Sequence, residues 1–426
     1  MQCFFHTPAA ILRHLDSLGL FHVDMSLTRI KRALRFWGLT HPPFVTVHVL
    51  GTNGKGSTSA FLASLGQAHG CRVGLYTSPH FISPAERIRI GNAGDNVCLP
   101  WPMTRWIDLA NTIMEHASDL TYFEFLTALA LLAFRQEGVE IAVLEAGLGG
   151  RYDATTAVAA DCLCYTPIAM DHRDVLGPTL ADIAYDKASA ICSPIPVCTV
   201  PQFPVAAAAL ATQARSVGAT LTVATPVATD VPLGLCGLYQ RYNAGLALAA
   251  WRVLAPMLGK DEHDSKAQLR GLAHAYMPGR MQRVPGTAAY PPLLLDGAHN
   301  PHGMAALVKA LDADHIHPAA AVYACLHDKD WQPALHMLRR YLGAVPFFVV
   351  PLHNPRAAQA DVVAAACNSV LPAMANVCAA LPQALTKALT LPDVNSKRPV
   401  LVTGSLYLLA ELFALYPHLL SAHCNA

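Results

Sequence analysis

Residues 47–58 read VHVLGTNGKGST, a largely apolar run that breaks into a glycine-rich turn carrying Lys55 and Ser57. Phe44 to Leu50 has the β-branched character of a buried strand, and Ser57 to His69 has the pattern of a helix. A strand that enters a helix through small residues opens a β–turn–α unit, which calls for a parallel sheet covered by helices. Such a turn lets backbone N–H groups approach an anion, and the helix start adds partial positive charge. Lys55 adds a full charge and Ser57 can reach Mg²⁺. Nucleotide phosphates suit this chemistry, ATP first among them.

The loop departs from the common G-x-x-x-x-G-K-[ST] pattern. Val49 stands at the first glycine position, and Gly56 separates Lys55 from Ser57. On the loop alone, a glycine turn that holds no ligand is the competing reading. The rest of the chain must decide.

The alternation continues. Val73 to Thr77, Ile141 to Glu145 and Cys162 to Ile168 read as further strands, with a second helix at Phe123 to Gln136. After a turn-rich break near Met277 to Pro292 the pattern restarts with strands at Leu293 to Asp296, Ala320 to Leu326, Phe347 to Pro351 and Val400 to Thr403. The expected fold is α/β in two parts. Residues 1–284 form a P-loop-type parallel-sheet ATPase domain, and 285–426 a smaller, Rossmann-like α/β domain. A chain of 426 residues, 53% hydrophobic and 14% charged, has enough apolar material for two cores.

A formal net charge of +1 gives no overall field to attract nucleic acid or an anionic membrane. The start, Met1 to His6, lacks the basic leader of a secretory signal. The longest uncharged stretch, Ala188 to Ala214, carries four prolines and reads as strand and turn, not as a membrane span. Twelve cysteines without a C-x-x-C pair read as buried, reduced thiols of a cytoplasmic protein.

Polar residues gather just after the strands, where ligands of such sheets bind. Ser78 and His80 offer a hydroxyl and an imidazole to a metal–phosphate centre, although Ser-Pro is also an ordinary turn. Glu145 ends a buried strand before a glycine loop, and a carboxylate there needs a partner or a metal. Asp171 and His172 follow the fourth strand on the same expected edge. Lys187, in a helix begun by Thr179 to Ile183, reads by itself as a solvated lysine.

Taken together, the chain resembles the folylpolyglutamate synthase and dihydrofolate synthase family of the Mur ligase superfamily. The matching segments, in family order, are GTNGKGS (51–57), TSPH with the following ERIRI (77–90), TYFEF (121–125), LEAGLGGRYDATTA (144–157), MDHRDVLGPTLADIAYDKASAI (170–191), RYNAGLAL (241–248), PGRMQ (278–282), LDGAHNP (295–301) and LHDKDW (326–331). The resemblance implies that Gly54, Lys55, Gly56 and Ser57 cradle the ATP phosphates. It implies that Asn243, Arg280, Asp296 and His299 face the nucleotide, and that Ser57, Ser78, Glu145 and His172 hold Mg²⁺, two ions in all. Lys187 matches the lysine that becomes a carbamate, so Lys55, Lys187, His172 and Glu145 form the expected catalytic set. Tyr122, Phe123 and Glu124, with Tyr152, Asp153 and Ala154, match segments lining a pteroate pocket, as does the loop from Asp24 to Thr28. Three positions depart from the family: Thr156 stands for Asn, Asp186 for Glu, and Ser189 for Gly.

The implied reaction joins L-glutamate to dihydropteroate, giving dihydrofolate, and to the γ-carboxylate of tetrahydrofolates, through an acyl phosphate made from ATP. Closure of the two domains on the nucleotide would shield that intermediate from water. A single-activity synthase is the first alternative, and a non-ligating P-loop ATPase switch the alternative of a different class. The family pattern also implies a monomer without nucleic-acid or membrane partners.

Overall fold

The computed structural model describes residues 4–19, 24–371 and 375–421. Met1 to Cys3, on which part of the leader reading rests, lie outside the described residues. The chain divides into two compact units. The first comprises Met1–Ile168, Arg173–Pro232 and Tyr242–Ala275; the second comprises Ala169–His172, Leu233–Arg241 and Tyr276–Ala426.

In the first unit the described strands are β1 (Val45–Leu50), β2 (Val73–Tyr76), β3 (Ile88–Gly91), β4 (Leu99–Pro100), β5 (Ile141–Glu145), β6 (Cys162–Tyr165), β7 (Val197–Thr199) and β8 (Leu221–Val223). Their order is β4-β3-β2-β5-β1-β6-β7-β8, parallel except for the β2–β3 and β3–β4 pairs toward one edge. β1 lies between β5 and β6, with Val49 opposite both Glu145 and Cys164. The register therefore brings the ends of β1 and β5 to one edge of the sheet. The helix Lys55–Ala68 is buried almost throughout, and its small residues allow close packing: a Cβ on Gly66 would lie 2.9 Å from Val73. The helix Tyr122–Gln136 is buried over most of its length and largely apolar, and it lies in the hydrophobic core.

In the second unit the described strands are β9 (Gln282–Val284), β10 (Leu293–Leu295), β11 (Ala320–Tyr323), β12 (Phe347–Val349), β13 (Ala375–Val377) and β14 (Val400–Thr403). They run β13-β12-β11-β14-β10-β9, parallel except for β9. Helices Pro301–Ala313 and Trp331–Leu342 contribute Leu307, Leu311, Leu335 and Leu338 to the core of this unit.

The α/β reading of both halves holds, with three corrections of detail. Residues 282–284 belong to the second unit because β9 pairs with β10, so the division precedes residue 284. Ala169–His172 also falls in the second unit. The stretch read as strand and turn becomes helical at Pro204–Val217, where Pro204 occupies the first turn and alanines carry the helix onward. Among the described residues ten cysteines are free, all but Cys192 and Cys236 buried, and no helix is long and apolar enough to cross a membrane.

Candidate active site

The turn after β1 is shaped by two glycines that no other residue can replace. Gly51 has φ 132°, and a Cβ there would fall 2.0 Å from Thr166 Oγ1. Gly54 caps the following helix with φ 91°, and a Cβ there would fall 2.6 Å from Asn243 Oδ1. Asn243 thus lies directly against the loop. Gly56 and Ser57 are buried in the first helical turn, while Lys55 Nζ donates to the Thr52 carbonyl at 3.2 Å. A helix N-terminus beside this lysine is a ready anion cradle.

Lys187 is not a solvated lysine. It is buried, and its Nζ donates to the carbonyl of Gly51 at 3.0 Å. Its helix, Leu180–Ala188, starts at a capping box between Thr179 and Asp182. The backbone of Lys187 closes on Gly150, where an added Cβ would meet it at 2.7 Å. The glycine loop after β5 therefore admits the Lys187 helix against it.

Glu145, buried at the end of β5, accepts the Ser78 N–H at 3.1 Å, so these two predicted residues meet. The hydroxyls of Ser57 and Ser78 and the Glu145 carboxylate are hard oxygen donors, the chemistry Mg²⁺ prefers. Among the described residues no group of three His, Cys, Asp or Glu could hold an ion alone.

The predicted pteroate segment is built around Glu124, which closes a capping box with Thr121 and pairs with Arg29 at 3.1 Å. Arg29 in turn holds Asp24 at 2.6 Å. Tyr122 is buried beneath the Arg87 guanidinium, 5.5 Å from its ring centre. Phe123 packs on Tyr76 with ring centres 5.7 Å apart and fills the space above Gly147. Asp153 is buried and pins its own loop by accepting from Leu148 and Thr155; burial pushes its carboxyl up against these bonds. Ala154 is buried and Tyr152 exposed.

The Ser78 loop holds a pair that the sequence did not reveal. Arg87 Nε donates to His80 Nδ1 at 2.8 Å, and burial beside that charge pushes the His80 imidazole down to about 3. Glu86 accepts the N–H groups of Phe81, Ile82 and Ser83 and fixes the loop.

In the second unit the hub is Asp171. It accepts from Lys329 at 2.6 Å, from Asn300 at 2.9 Å and from the His172 backbone at 2.8 Å, with His299 Nε2 at 3.5 Å. Burial alone would raise this carboxyl, but His299, Lys329 and His172 hold it well below the usual carboxylate range. His172 has φ 51° and is nearly half exposed. Asp296 is a second hub, accepting from Tyr239, Met281 and Ala298; burial pushes its carboxyl up while Arg280 opposes the shift. Arg280 sits close over Gly297, where a Cβ would lie 2.7 Å from its guanidinium. His299 and Asn300 follow in the same segment. The structure thus gathers Gly54, Ser57, Ser78, Glu145, Lys187 and Asn243 in the first unit, and His172, Arg280, Asp296 and His299 in the second.

Residues 279–406 match the model of the family described as Mur ligase, glutamate ligase domain. The chain is 34% identical over 373 residues to the dihydrofolate synthase/folylpolyglutamate synthase of Escherichia coli K12, covering 83% of this chain and 84% of that one. Against archaeal and plant relatives named as folylpolyglutamate synthases, some bifunctional, it spans about half of their length. Its fold is similar to that of E. coli FolC in complex with DHPP and ADP, with TM-score 0.83, 30% identity and coverage of 98% and 99% of the two chains. It is also similar to the bifunctional folylpolyglutamate synthase/dihydrofolate synthase from Yersinia pestis complexed with AMPPNP and a Mn ion, with TM-score 0.81, 29% identity and coverage of 97% and 99%.

Proposed function

The chain belongs to the dihydrofolate synthase/folylpolyglutamate synthase family of the Mur ligase superfamily, and from that premise we propose that it is an ATP-dependent carboxylate–amine ligase. It joins L-glutamate to dihydropteroate and to the γ-carboxylate of tetrahydrofolates. The observation that carries this reading is the Lys187 ammonium on the Gly51 carbonyl, beside a loop built for phosphates. A simple nucleotide switch has no need of a second, buried cation at that point.

The chemistry starts from the inertness of a carboxylate toward amines. The γ-phosphoryl group of ATP passes to a carboxylate oxygen of the acceptor, the bond to the β-phosphate breaks, and ADP leaves. The glutamate amine then attacks the acyl carbon, inorganic phosphate departs and the amine releases a proton. In the first step the loop amides and Lys55, released from Thr52, hold the phosphate oxygens and neutralise their charge. Asn243 contacts the nucleotide from beside Gly54. Ser57, Ser78 and Glu145 would hold Mg²⁺, and the family resemblance assigns His172 to the same role. Bound there, the cation would supply charge neutralisation at the transferred phosphoryl group. The E. coli structure with DHPP and ADP and the Y. pestis structure with AMPPNP and manganese support the same ligand classes here.

Lys187 carries the modification we assign to it. The ammonium first loses one proton; carbon dioxide then adds to the neutral amine, one N–C bond forms and a second proton leaves, so a cation becomes a carbamate that would support a second ion. Tyr122, Phe123, Tyr152 and Ala154 contact the pteroate, with Glu124 and Asp153 holding their segments in place. Arg280, Asp296 and His299 serve the nucleotide. The free thiols suit a reducing compartment, and we place the protein in the cytoplasm as a monomer.

The test is an assay of the purified chain with ATP, Mg²⁺ and L-glutamate, offered dihydropteroate and then tetrahydrofolate. Release of phosphate that depends on glutamate and on either acceptor is the expected result. Turnover indifferent to both substrates would mark a non-ligating ATPase, and product from one acceptor alone a single-activity synthase.

A further inference from the structure

The proposed ligand set leaves His80 without the metal–phosphate role its sequence suggested, yet the residue lies between the two halves of that machinery. Two residues before it, the Ser78 N–H is bonded to Glu145 at the metal and phosphate end. On its other side stands Arg87, whose guanidinium covers Tyr122 of the pteroate segment. The loop is pinned at both ends, by Thr77 N–H on the Arg87 carbonyl at 3.0 Å and by the three amides on Glu86. The position of the imidazole is therefore fixed by the backbone around it.

Its tautomer is fixed as well. A guanidinium can only donate, so the 2.8 Å bond from Arg87 Nε makes Nδ1 an acceptor. The ring proton must then reside on Nε2. Among the described residues no group accepts from Nε2, and the side chain is partly exposed. A buried arginine thus orients a neutral N–H donor whose acceptor must come from outside the chain.

We infer that His80 donates from Nε2 to the reacting carboxylate of the pteroate or folate acceptor, with Arg87 as the positioning residue. This rests on the ligase reading, because that carboxylate must lie between the pteroate segment and the ATP phosphates. His80 holds one oxygen of the carboxylate while the other is left to receive the phosphoryl group. Held in this way, the acceptor meets ATP in a reactive orientation.

Two substitutions separate the ring nitrogens. His80→Asn keeps an acceptor near Nδ1 for Arg87 and removes the Nε2 donor. His80→Gln places an amide N–H near Nε2. His80→Asn should raise KM for dihydropteroate and lower kcat/KM by about 10- to 100-fold, the loss expected for one hydrogen bond to a charged group. KM for ATP and the melting temperature should stay near wild type. His80→Gln should recover a large part of the loss. Dihydropteroate binding, followed by titration calorimetry with ADP and Mg²⁺ present, should weaken in step with KM. Equal acceptor kcat/KM in His80→Asn and wild type overturns the inference and leaves the ligase reading standing. A matching loss for ATP, or no advantage of Gln over Asn, also overturns it. A wild-type chain that neither binds nor converts dihydropteroate or tetrahydrofolate overturns both.

Discussion

The ammonium of Lys187 lies 3.0 Å from the carbonyl oxygen of Gly51, the residue at which β1 turns into the glycine loop. A buried cation aimed at a loop carbonyl marks the place where the negative charge of a triphosphate would gather. Lys187→Ala should therefore lower ligase turnover by at least about 100-fold, comparable to loss of one oxyanion-stabilising group. Lys187→Arg, which keeps a cation but forms no carbamate, should fail equally. ADP binding by calorimetry should change by no more than a few-fold, since Lys55 and the loop amides remain. An active Lys187→Arg variant would refute the carbamate assignment.

The loop glycines make a steeper prediction. Gly54→Ala places a Cβ 2.6 Å from Asn243 Oδ1 and forces a left-handed φ on alanine. The conformational term alone is about 1–2 kcal/mol, and the amide of Asn243 must also retreat. ATP affinity should fall by about tenfold or more, with a smaller drop in melting temperature. Gly51→Ala should be worse, because its Cβ would also meet the Thr166 backbone at 2.8 Å, which cannot rotate away. Little folded protein should be recovered from that variant.

These glycines were legible in the sequence, as were the strands around them, because strand runs and strand-to-helix turns are local patterns. The antiparallel strands β3, β4 and β9 were not, since short antiparallel pairs carry no long apolar run. Proline misled at Pro204, where a residue that breaks helices internally begins one. Glu145 could be singled out because a carboxylate ending a buried strand is costly without a partner. His80 and Lys329 could not be placed in the same way. Their partners, Arg87 and Asp171, are set by a capped loop and by a contact across 158 positions. The LHDKDW segment entered only as a match to the family, and the fold alone shows Lys329 nearly buried on a carboxylate.

Lys329→Met tests that contact. It leaves Asp171 buried with its closest cation gone, and breaking one side of a buried pair costs about 3–5 kcal/mol. The variant should melt several degrees lower, measured by calorimetry at neutral pH. Adding Asp171→Leu should restore part of the loss, because the stranded charge is then removed. If the double variant is no more stable than Lys329→Met, Asp171 is not the reason for the single variant's loss.

The pH dependence of stability has an identifiable source in β1. His48 is fully buried between neighbouring strands, its Nε2 has no partner among the described residues, and burial pushes its imidazole down to about 4 from 6.5. The unfolded chain takes up this proton near 6.5 and the folded chain only near 4. Between those values the unfolded state binds more protons, so falling pH favours unfolding. The stability lost from this residue begins below about pH 7 and is complete below about pH 4, amounting to about 3 kcal/mol. His48→Leu removes the titrating group from a site that already excludes water. Melting temperatures of wild type and His48→Leu, followed from pH 8 to pH 4, should diverge below pH 6.5 with the variant less sensitive to acid. Parallel curves would mean that other groups set the acid response and that His48 is protonated inside the sheet as readily as outside it.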